Sequence, residues 1–236
     1  MTGTKQQKQR KIGIMGGTFD PIHNGHLWIA EHARREYGLS ELWFLPAGDP
    51  YFKAGKQVTP AKLRLQMTEL AVSELPYAMC MDTEVRRSGP TYTADTLREF
   101  HKREPEAAFY FIIGADSLFQ LEKWHEPEAL MRLSVILCAG RPAAGGAPVS
   151  AETKRPDRGN EVFAEADRLN QKYKNAGCDI RLIHCEKLDI SSTMIRKAVS
   201  LGQDISALVP EAVAAFIKKQ GLYREQSATG NIRSLM

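Results

Sequence analysis

Residues 16–27 read Gly-Gly-Thr-Phe-Asp-Pro-Ile-His-Asn-Gly-His-Leu, and they join a short apolar segment at residues 12–15 to a helical pattern over residues 25–37. Gly38 supplies a C-terminal stop for that predicted helix. A buried strand that ends in a glycine turn and leads into a helix is typical of an α/β fold. Ligands of such folds bind at the carboxyl ends of the strands, so we expect a site at this turn.

The alternation of strand and helix continues along the chain. Further buried strands are predicted at residues 42–45, 79–85, 109–113, 134–139 and 180–184. Helices are predicted after a Thr59 cap with Pro60 at the first position, from a Thr93 cap through residue 103, from Asp116, and over residues 192–201 and 210–219. Strands without polar alternation, separated by helices, are typical of a parallel sheet covered on both faces. We therefore predict a doubly wound, mainly parallel α/β sheet of the Rossmann-like type.

The composition is that of a globular protein. The 236 residues are 43% hydrophobic and 25% charged, which excludes a disordered chain. Such a length predicts one generous domain, which we place at residues 12–222, with a variable loop and helix inserted at residues 140–176. Residues 1–11 are expected to form a flexible basic tail and residues 223–236 a flexible C-terminal tail.

Charge, cysteine content and hydropathy limit the classes of partner and the cellular compartment that we expect. The 32 Lys and Arg residues against 28 Asp and Glu residues leave a net charge of +4, far below that of a dedicated nucleic-acid binder. The four cysteines form no Cys-x-x-Cys pair, which favours free thiols in a reducing compartment. The N-terminus resembles no signal peptide, and the apolar runs are too short for a membrane span. We expect a cytoplasmic protein that binds neither nucleic acid nor membrane.

The first turn contains groups that suit an anion. Gly16 and Gly17 remove side chains where the backbone must approach a ligand. The N–H groups at the start of the following helix attract negative charge, and His23 and His26 are spaced to point toward the same place. Thr18 adds a hydroxyl donor. The string matches neither the P-loop pattern nor the G-x-G-x-x-G pattern.

The turn after the last predicted strand reads Ile-Ser-Ser-Thr-Met-Ile-Arg at residues 190–196. Three consecutive hydroxyl groups exceed the one that a helix cap requires. Arg196 lies four residues after Ser192, on the same helix face, where its guanidinium can hold a phosphate with two hydrogen bonds. The pattern alone also fits a capped helix with a surface arginine.

These strings resemble a known family. Residues 16–27 are similar to the T/H-x-G-H signature of the nucleotidyltransferase superfamily, and the fuller string resembles that of bacterial nicotinate-nucleotide adenylyltransferases. Residues 190–196 resemble the family's I-S-S-T-x-I-R motif, which holds the β- and γ-phosphates of ATP. The resemblance covers residues 12–217. It implies catalytic roles for Thr18, His23, His26 and Arg196. It implies that ATP is bound by Gly16, Gly17, Phe19, Gly25, Gly114, Asp116, Ile190, Ser192 and Thr193.

The same resemblance extends to the segments between the two ends. Residues 114–117 match a segment beside the adenosine ribose, and residues 88–97 match a stretch that frames the pyridine nucleotide, with Thr91 in place of the usual serine. The substrate-binding residues so implied are Lys53, Thr91, Tyr92, Thr93 and Trp124, the last bordering the nicotinate ring. One departure is at residues 50–53, which read Pro-Tyr-Phe-Lys where the family shows Pro-Pro-His-Lys. Four other histidines match no family motif: His32, His101, His125 and His184.

The implied reaction is adenylyl transfer from ATP to nicotinate mononucleotide, giving deamido-NAD and pyrophosphate. The attacking 5′-phosphate is already an anion, so the reaction needs charge stabilisation and positioning rather than a strong base. Mg²⁺ is expected to be carried mainly by the ATP phosphates, with no metal ligands from the protein. The alternatives are another adenylyltransferase or cytidylyltransferase, such as pantetheine-phosphate adenylyltransferase, and a silent nucleotide sensor. The sequence leaves open whether the chain forms a homo-oligomer and whether it prefers the nicotinate or the nicotinamide substrate.

Overall fold

The computed structural model describes residues 9–49, 58–140, 158–186 and 188–224. Six strands form one sheet: β1 (Lys11–Gly17), β2 (Glu41–Pro46), β3 (Ala78–Cys80), β4 (Ala108–Gly114), β5 (Val135–Gly140) and β6 (Ile180–His184). Their order in the sheet is β3-β2-β1-β4-β5-β6, and every neighbouring pair is parallel. The predicted doubly wound parallel sheet is confirmed. The order reverses between β1 and β4, and the carboxyl ends of such a strand pair are where folds of this type bind their ligands.

The helices connect these strands and cover both faces of the sheet. They are α1 (Asn24–Tyr37), α2 (Ala61–Val72), α3 (Thr83–Arg86), α4 (Thr93–Arg103), α5 (Ala115–Leu118), α6 (Pro127–Leu133), α7 (Arg158–Lys172), α8 (Ser192–Ser200) and α9 (Glu211–Gln220). Gly38 ends α1 with a left-handed backbone, as predicted. None of the helices in the described ranges is long and apolar enough to cross a lipid bilayer.

Two apolar cores lie on opposite faces of the sheet. Successive side chains of a strand point to opposite faces, so Ile14 of β1 lies in one core and Met15 in the other. The first core is closed by α1, α2, α8 and α9, and the second by α4, α6 and α7. Both faces are apolar because both are buried, which explains why these strands show no polar alternation.

Three local predictions are wrong. The strand expected at residues 79–85 ends at Cys80 and gives way to the short helix α3. Neither Thr59 nor Thr93 caps a helix, because Pro60 and Tyr92 occupy the cap positions of α2 and α4. Thr59 instead uses its main chain, which accepts a hydrogen bond from Arg64 and donates one to the Asp20 carboxylate.

Two segments predicted to be peripheral contribute to the domain. Helix α7 lies within the predicted insertion, yet it packs into the second core through Val162, Ala166 and Leu169. Tyr223, expected in the C-terminal tail, donates a hydrogen bond to Asp20 over 2.7 Å. The described fold therefore includes contacts from both segments.

Candidate active site

The loop between β1 and α1 is built around Phe19. This residue has φ 49°, a left-handed backbone that residues other than glycine rarely adopt. Its ring is buried and meets the ring of His26 edge to face, with 5.0 Å between the centroids. A Cβ atom on Gly17 would lie 2.8 Å from the Phe19 ring, so the glycine makes room for this side chain. The loop is thus shaped by a tightly packed aromatic ring beside the predicted phosphate site.

The two histidines of this loop lie against each other at the start of α1. Their rings are stacked with 3.7 Å between centroids, and the His23 backbone N–H donates to Nδ1 of His26 over 3.3 Å. His23 is 6% exposed, and its Nδ1 finds no hydrogen-bond partner within the described part of the chain. Burial lowers the pKa of His23 to about 4. His23 is therefore neutral at pH 7, and its imidazole can donate a hydrogen bond without carrying a charge.

Helix α8 brings the second predicted motif to the first. Ser191 caps the helix by accepting a hydrogen bond from the Met194 N–H over 3.2 Å. Ser192 donates to the Pro21 carbonyl over 2.9 Å. Arg196 donates to the Asp20 carbonyl over 2.7 Å and to the Thr193 hydroxyl over 3.2 Å. The two motifs are therefore in direct contact, through residue pairs 171 and 176 positions apart in sequence.

The residues predicted to frame the pyridine nucleotide lie at the start of α4 and after α5. Thr91 is buried, and the hydroxyl of Thr96, which is also buried, donates to the Glu84 carboxylate over 3.0 Å. Burial raises the pKa of Glu84, and the nearby Thr91 and Thr96 hydroxyls oppose that rise. Tyr92 stacks on the ring of His125 with 4.2 Å between centroids. His125 matches no motif in the sequence, and its contact with Tyr92 follows from the packing of two distant segments.

The remaining predicted site residues are Trp124, the residues at the carboxyl end of β4 and Lys53. Trp124 is half-buried and meets Phe111 of the second core edge to face, with 6.1 Å between centroids. Gly114 is exposed, and a Cβ atom there would meet nothing within 4 Å, so the backbone is accessible at the carboxyl end of β4. Asp116 follows in α5 and is exposed. Lys53 and the departure at residues 50–53 lie outside the described residues.

A buried arginine that sequence reasoning did not single out lies beneath the first loop. Arg64 of α2 is 1% exposed and donates to three main-chain carbonyls, those of Thr18, Gly48 and Thr59. Burial lowers the pKa of its guanidinium, and the nearby Asp20 carboxylate opposes that effect. The available signal was its spacing, because Arg64 precedes the buried Met67, Thr68 and Ala71 by three, four and seven residues.

Asp20 connects the first loop to three other parts of the chain through its carboxylate and its carbonyl. It is 4% exposed, and it accepts hydrogen bonds from the Tyr223 hydroxyl over 2.7 Å and from the Thr59 N–H over 3.3 Å. The Asp20 carbonyl accepts the hydrogen bond from Arg196. One residue of the first loop thus contacts the segment before α2, helix α8 and the segment after α9.

The described ranges contain no group of three or more His, Cys, Asp or Glu side chains that could hold a metal ion. The donors that line the candidate site are N–H and O–H groups, which suit an anionic ligand. Imidazole, hydroxyl and guanidinium groups, such as those of the two histidines, Ser192 and Arg196, are donors of the kind that phosphate oxygens accept from.

Comparisons with known proteins also indicate a nucleotide-binding enzyme family. Residues 14–198 match a family model described as cytidylyltransferase-like. A probable nicotinate-nucleotide adenylyltransferase of Lachnoclostridium phytofermentans is 44% identical over 214 residues, which are 91% of this chain and 99% of that protein. One from Dehalococcoides mccartyi is 42% identical over 217 residues, which are 92% of this chain and 98% of that protein.

A solved structure shares the fold at lower identity. The nicotinic acid mononucleotide adenylyltransferase of Plasmodium falciparum, complexed with NaAD, is 22% identical. It superposes with a TM-score of 0.66 and covers 91% of this chain and 97% of its own. The likeness therefore extends over nearly the whole length of both molecules.

Proposed function

The chain belongs to the nicotinate-nucleotide adenylyltransferase family, and on that premise we propose that it transfers the adenylyl group of ATP to nicotinate mononucleotide. The products are deamido-NAD and pyrophosphate. The observation that carries the proposal is the contact between the two phosphate motifs, in which Arg196 of α8 donates to the Asp20 carbonyl in the loop before α1. A dinucleotide-forming enzyme has to hold several phosphates at one place, and this contact gathers their proposed donors.

The proposed chemistry is a displacement at the α-phosphorus of ATP. The 5′-phosphate oxygen of the mononucleotide forms the new P–O bond, and the bond from the α-phosphorus to the oxygen bridging to the β-phosphorus breaks. The electron pair leaves with pyrophosphate, and no proton has to be removed from the nucleophile. The protein contributes donors placed where charge develops and holds two mutually repelling anions together.

We assign the donors by their position. His23, His26 and Thr18 are proposed to stabilise the transferring phosphoryl group, since the histidines lie at the start of α1 and the threonine in the loop before it. Arg196 and Ser192 are proposed to stabilise the departing pyrophosphate. The two hydrogen bonds of Arg196 within the protein use two of its five N–H groups, so the guanidinium retains capacity for phosphate oxygens.

The remaining site residues are proposed to hold the two substrates in place. Gly16, Gly17, Phe19 and Gly25 are proposed to shape the loop around the ATP phosphates, with Ile190 just before α8 and Thr193 in its first turn. Gly114 and Asp116 are proposed to hold the adenosine ribose, because they lie at the carboxyl end of β4, the strand that pairs with β1. Thr91, Tyr92, Thr93, Trp124 and Lys53 are proposed to hold the nicotinate mononucleotide.

In our proposal the divalent metal that such enzymes use is brought to the site by the ATP substrate. Mg²⁺ enters as part of Mg-ATP, held by the phosphates, and the acceptor is the second small-molecule partner. We propose the cytoplasm as the compartment, because ATP is supplied there.

The test is pyrophosphate release from Mg-ATP with three acceptors measured in parallel: nicotinate mononucleotide, its amide and phosphopantetheine. We expect nicotinate mononucleotide to give the highest kcat/KM. A control in which CTP replaces ATP separates adenylyl transfer from cytidylyl transfer. Dominant turnover of phosphopantetheine would contradict the proposed acceptor, and no turnover with any acceptor would favour a nucleotide sensor.

A further inference from the structure

Arg64 links three separate segments of the chain through one side chain. Its Nη1 donates to the Thr18 carbonyl over 2.6 Å, its Nη2 to the Gly48 carbonyl over 2.8 Å and its Nε to the Thr59 carbonyl over 2.8 Å. These carbonyls belong to the loop after β1, the loop after β2 and the segment before α2. A planar guanidinium can donate in three fixed directions at once, which the single ammonium group of lysine cannot reproduce.

Two of these segments belong to different halves of the proposed site. Thr18 lies in the loop that carries the histidines, on the ATP side. Gly48 lies on the mononucleotide side, because a Cβ atom on it would be 2.1 Å from the Glu84 carbonyl oxygen. The next residue, Asp49, pairs with Pro90 in an isolated parallel bridge. The same Cβ atom on Gly48 would lie 3.4 Å from Cγ2 of Thr91, a residue proposed to hold the mononucleotide.

We propose that Arg64 is a positioning residue that fixes the distance between the ATP half and the mononucleotide half of the site without touching either substrate. This inference rests on the proposed function. When two bound reactants have to meet, a displacement of about 1 Å can reduce the rate by about a hundredfold. Loosening the connection between the halves therefore lowers turnover of the complete complex, while each half still binds its own substrate.

The test compares Arg64→Lys with the matched control Val72→Ala. Lysine keeps the positive charge and loses the three-way hydrogen bonding. Val72 is a buried residue at the far end of the same helix, eight residues after Arg64, so its truncation weakens the packing of α2 without removing a hydrogen bond to the site loops. For each variant we measure kcat with both substrates saturating, the Kd of ATP alone and of nicotinate mononucleotide alone, and the thermal midpoint by circular dichroism.

We expect Arg64→Lys to lose about tenfold to a hundredfold in kcat while each separate Kd changes by less than about threefold. Val72→Ala should keep kcat within about twofold of the wild type, even if its thermal midpoint falls as far as that of Arg64→Lys. If Arg64→Lys does not fold, Arg64→Gln, which removes the buried charge and keeps one amide donor, takes its place.

Three results would overturn the positioning role. These are a kcat within about twofold of the wild type in the Arg64 variant, an equal loss of kcat in Val72→Ala, and weakening of both Kd values with kcat retained. The wild-type enzyme is measured in the same series. Its failure to release pyrophosphate would overturn the proposed function, and the positioning role with it, whereas a fully active wild type with an active Arg64→Lys variant overturns only the latter.

Discussion

The imidazole of His23 shows how burial controls the charge of a side chain. Its pKa falls to about 4 because it is desolvated at the start of α1. The unfolded chain takes up a proton on the same imidazole below about pH 6.5, whereas the folded protein keeps it neutral to lower pH. The contribution of neutral His23 to the free energy of unfolding is therefore fully present above neutral pH and is lost as the pH falls from about 6.5 toward 4.

This difference predicts a pH-dependent stability. Between pH 7 and pH 5, His23 should cost the wild-type protein about 2 kcal/mol in the free energy of unfolding. In His23→Asn that share of the pH dependence should disappear. Urea unfolding of both proteins at several pH values measures the effect, and parallel curves for the two would show that His23 is not the group responsible.

His26 is predicted to act on the reaction more than on the fold. Its ring lies beside His23 and Phe19 at the start of the helix, where the phosphoryl group is proposed to bind. Loss of one preorganised donor at such a position reduces turnover by about 10²–10³. We expect that loss of kcat in His26→Ala with an unchanged circular dichroism spectrum.

His32→Ala is the matched control for that substitution. His32 lies on the same helix, where its Nδ1 bonds to the Trp28 carbonyl and its ring packs on Trp28. The same truncation there should leave kcat within about twofold of the wild type. A His26→Ala enzyme that retains turnover within a few-fold would refute the catalytic assignment.

At the scale of one helix, two adjacent serines at the start of α8 have different roles: one caps the helix and the other is proposed to bind phosphate. Ser191 accepts from the Met194 N–H as the helix cap, and Ser192 donates to the Pro21 carbonyl instead. Ser191→Ala should lower the free energy of unfolding by about 1 kcal/mol and leave turnover nearly unchanged. Ser192→Ala should lower kcat/KM for ATP by about tenfold with a smaller effect on stability.

Urea unfolding and pyrophosphate release, measured on both variants, check this division. The two serines are adjacent and chemically identical, so each serves as the control for the other. Reversed effects, with activity lost at Ser191 and stability lost at Ser192, would show that the assignment of the two hydroxyls is wrong.

The elements also show what the sequence could predict. The strands at the centre of the sheet and the ends of α1 follow from local signals: apolar runs, glycine turns and the Gly38 stop. The caps predicted at Thr59 and Thr93 do not form, because Pro60 and Tyr92 take the cap positions and the main chain of Thr59 is held by Arg64 and Asp20. Whether a threonine caps a helix depends here on tertiary partners that no local window contains.

The residues of the candidate site also fall into two groups: those that the local sequence predicts and those that only tertiary contacts reveal. The turns that carry His23, His26 and Arg196 are continuous strings, so their residue types and spacing are enough to indicate phosphate chemistry. Arg64 and Tyr223 act through main-chain carbonyls and a carboxylate that are distant in sequence. Nothing in their own neighbourhood indicates those partners, and only the folded chain brings them together.

At the scale of the whole molecule, one sheet serves two cores, so damage to either should destabilise the entire domain. Phe100 of α4 is fully buried in the second core. Phe100→Ala should reduce the free energy of unfolding by about 3–5 kcal/mol and shift a single cooperative transition. Phe163→Ala is the control, because this phenylalanine is 65% exposed and should cost no more than about 0.5 kcal/mol.

Thermal and urea unfolding followed by circular dichroism check the prediction. Two separate transitions in the Phe100→Ala protein would show that the cores unfold independently. A large loss of stability in Phe163→Ala would show that the exposed helix face contributes to the fold.

The bond between Tyr223 and Asp20 also sets an order of events during synthesis. The two residues are 203 positions apart, and the aspartate leaves the ribosome first. At a translation rate of about 5–20 residues per second, roughly 10–40 s pass before the tyrosine exists. Throughout that interval the nascent loop that carries the histidines lacks the phenol that holds its carboxylate. The loop that carries the histidines is therefore among the first segments to be translated and among the last to acquire its full set of native contacts.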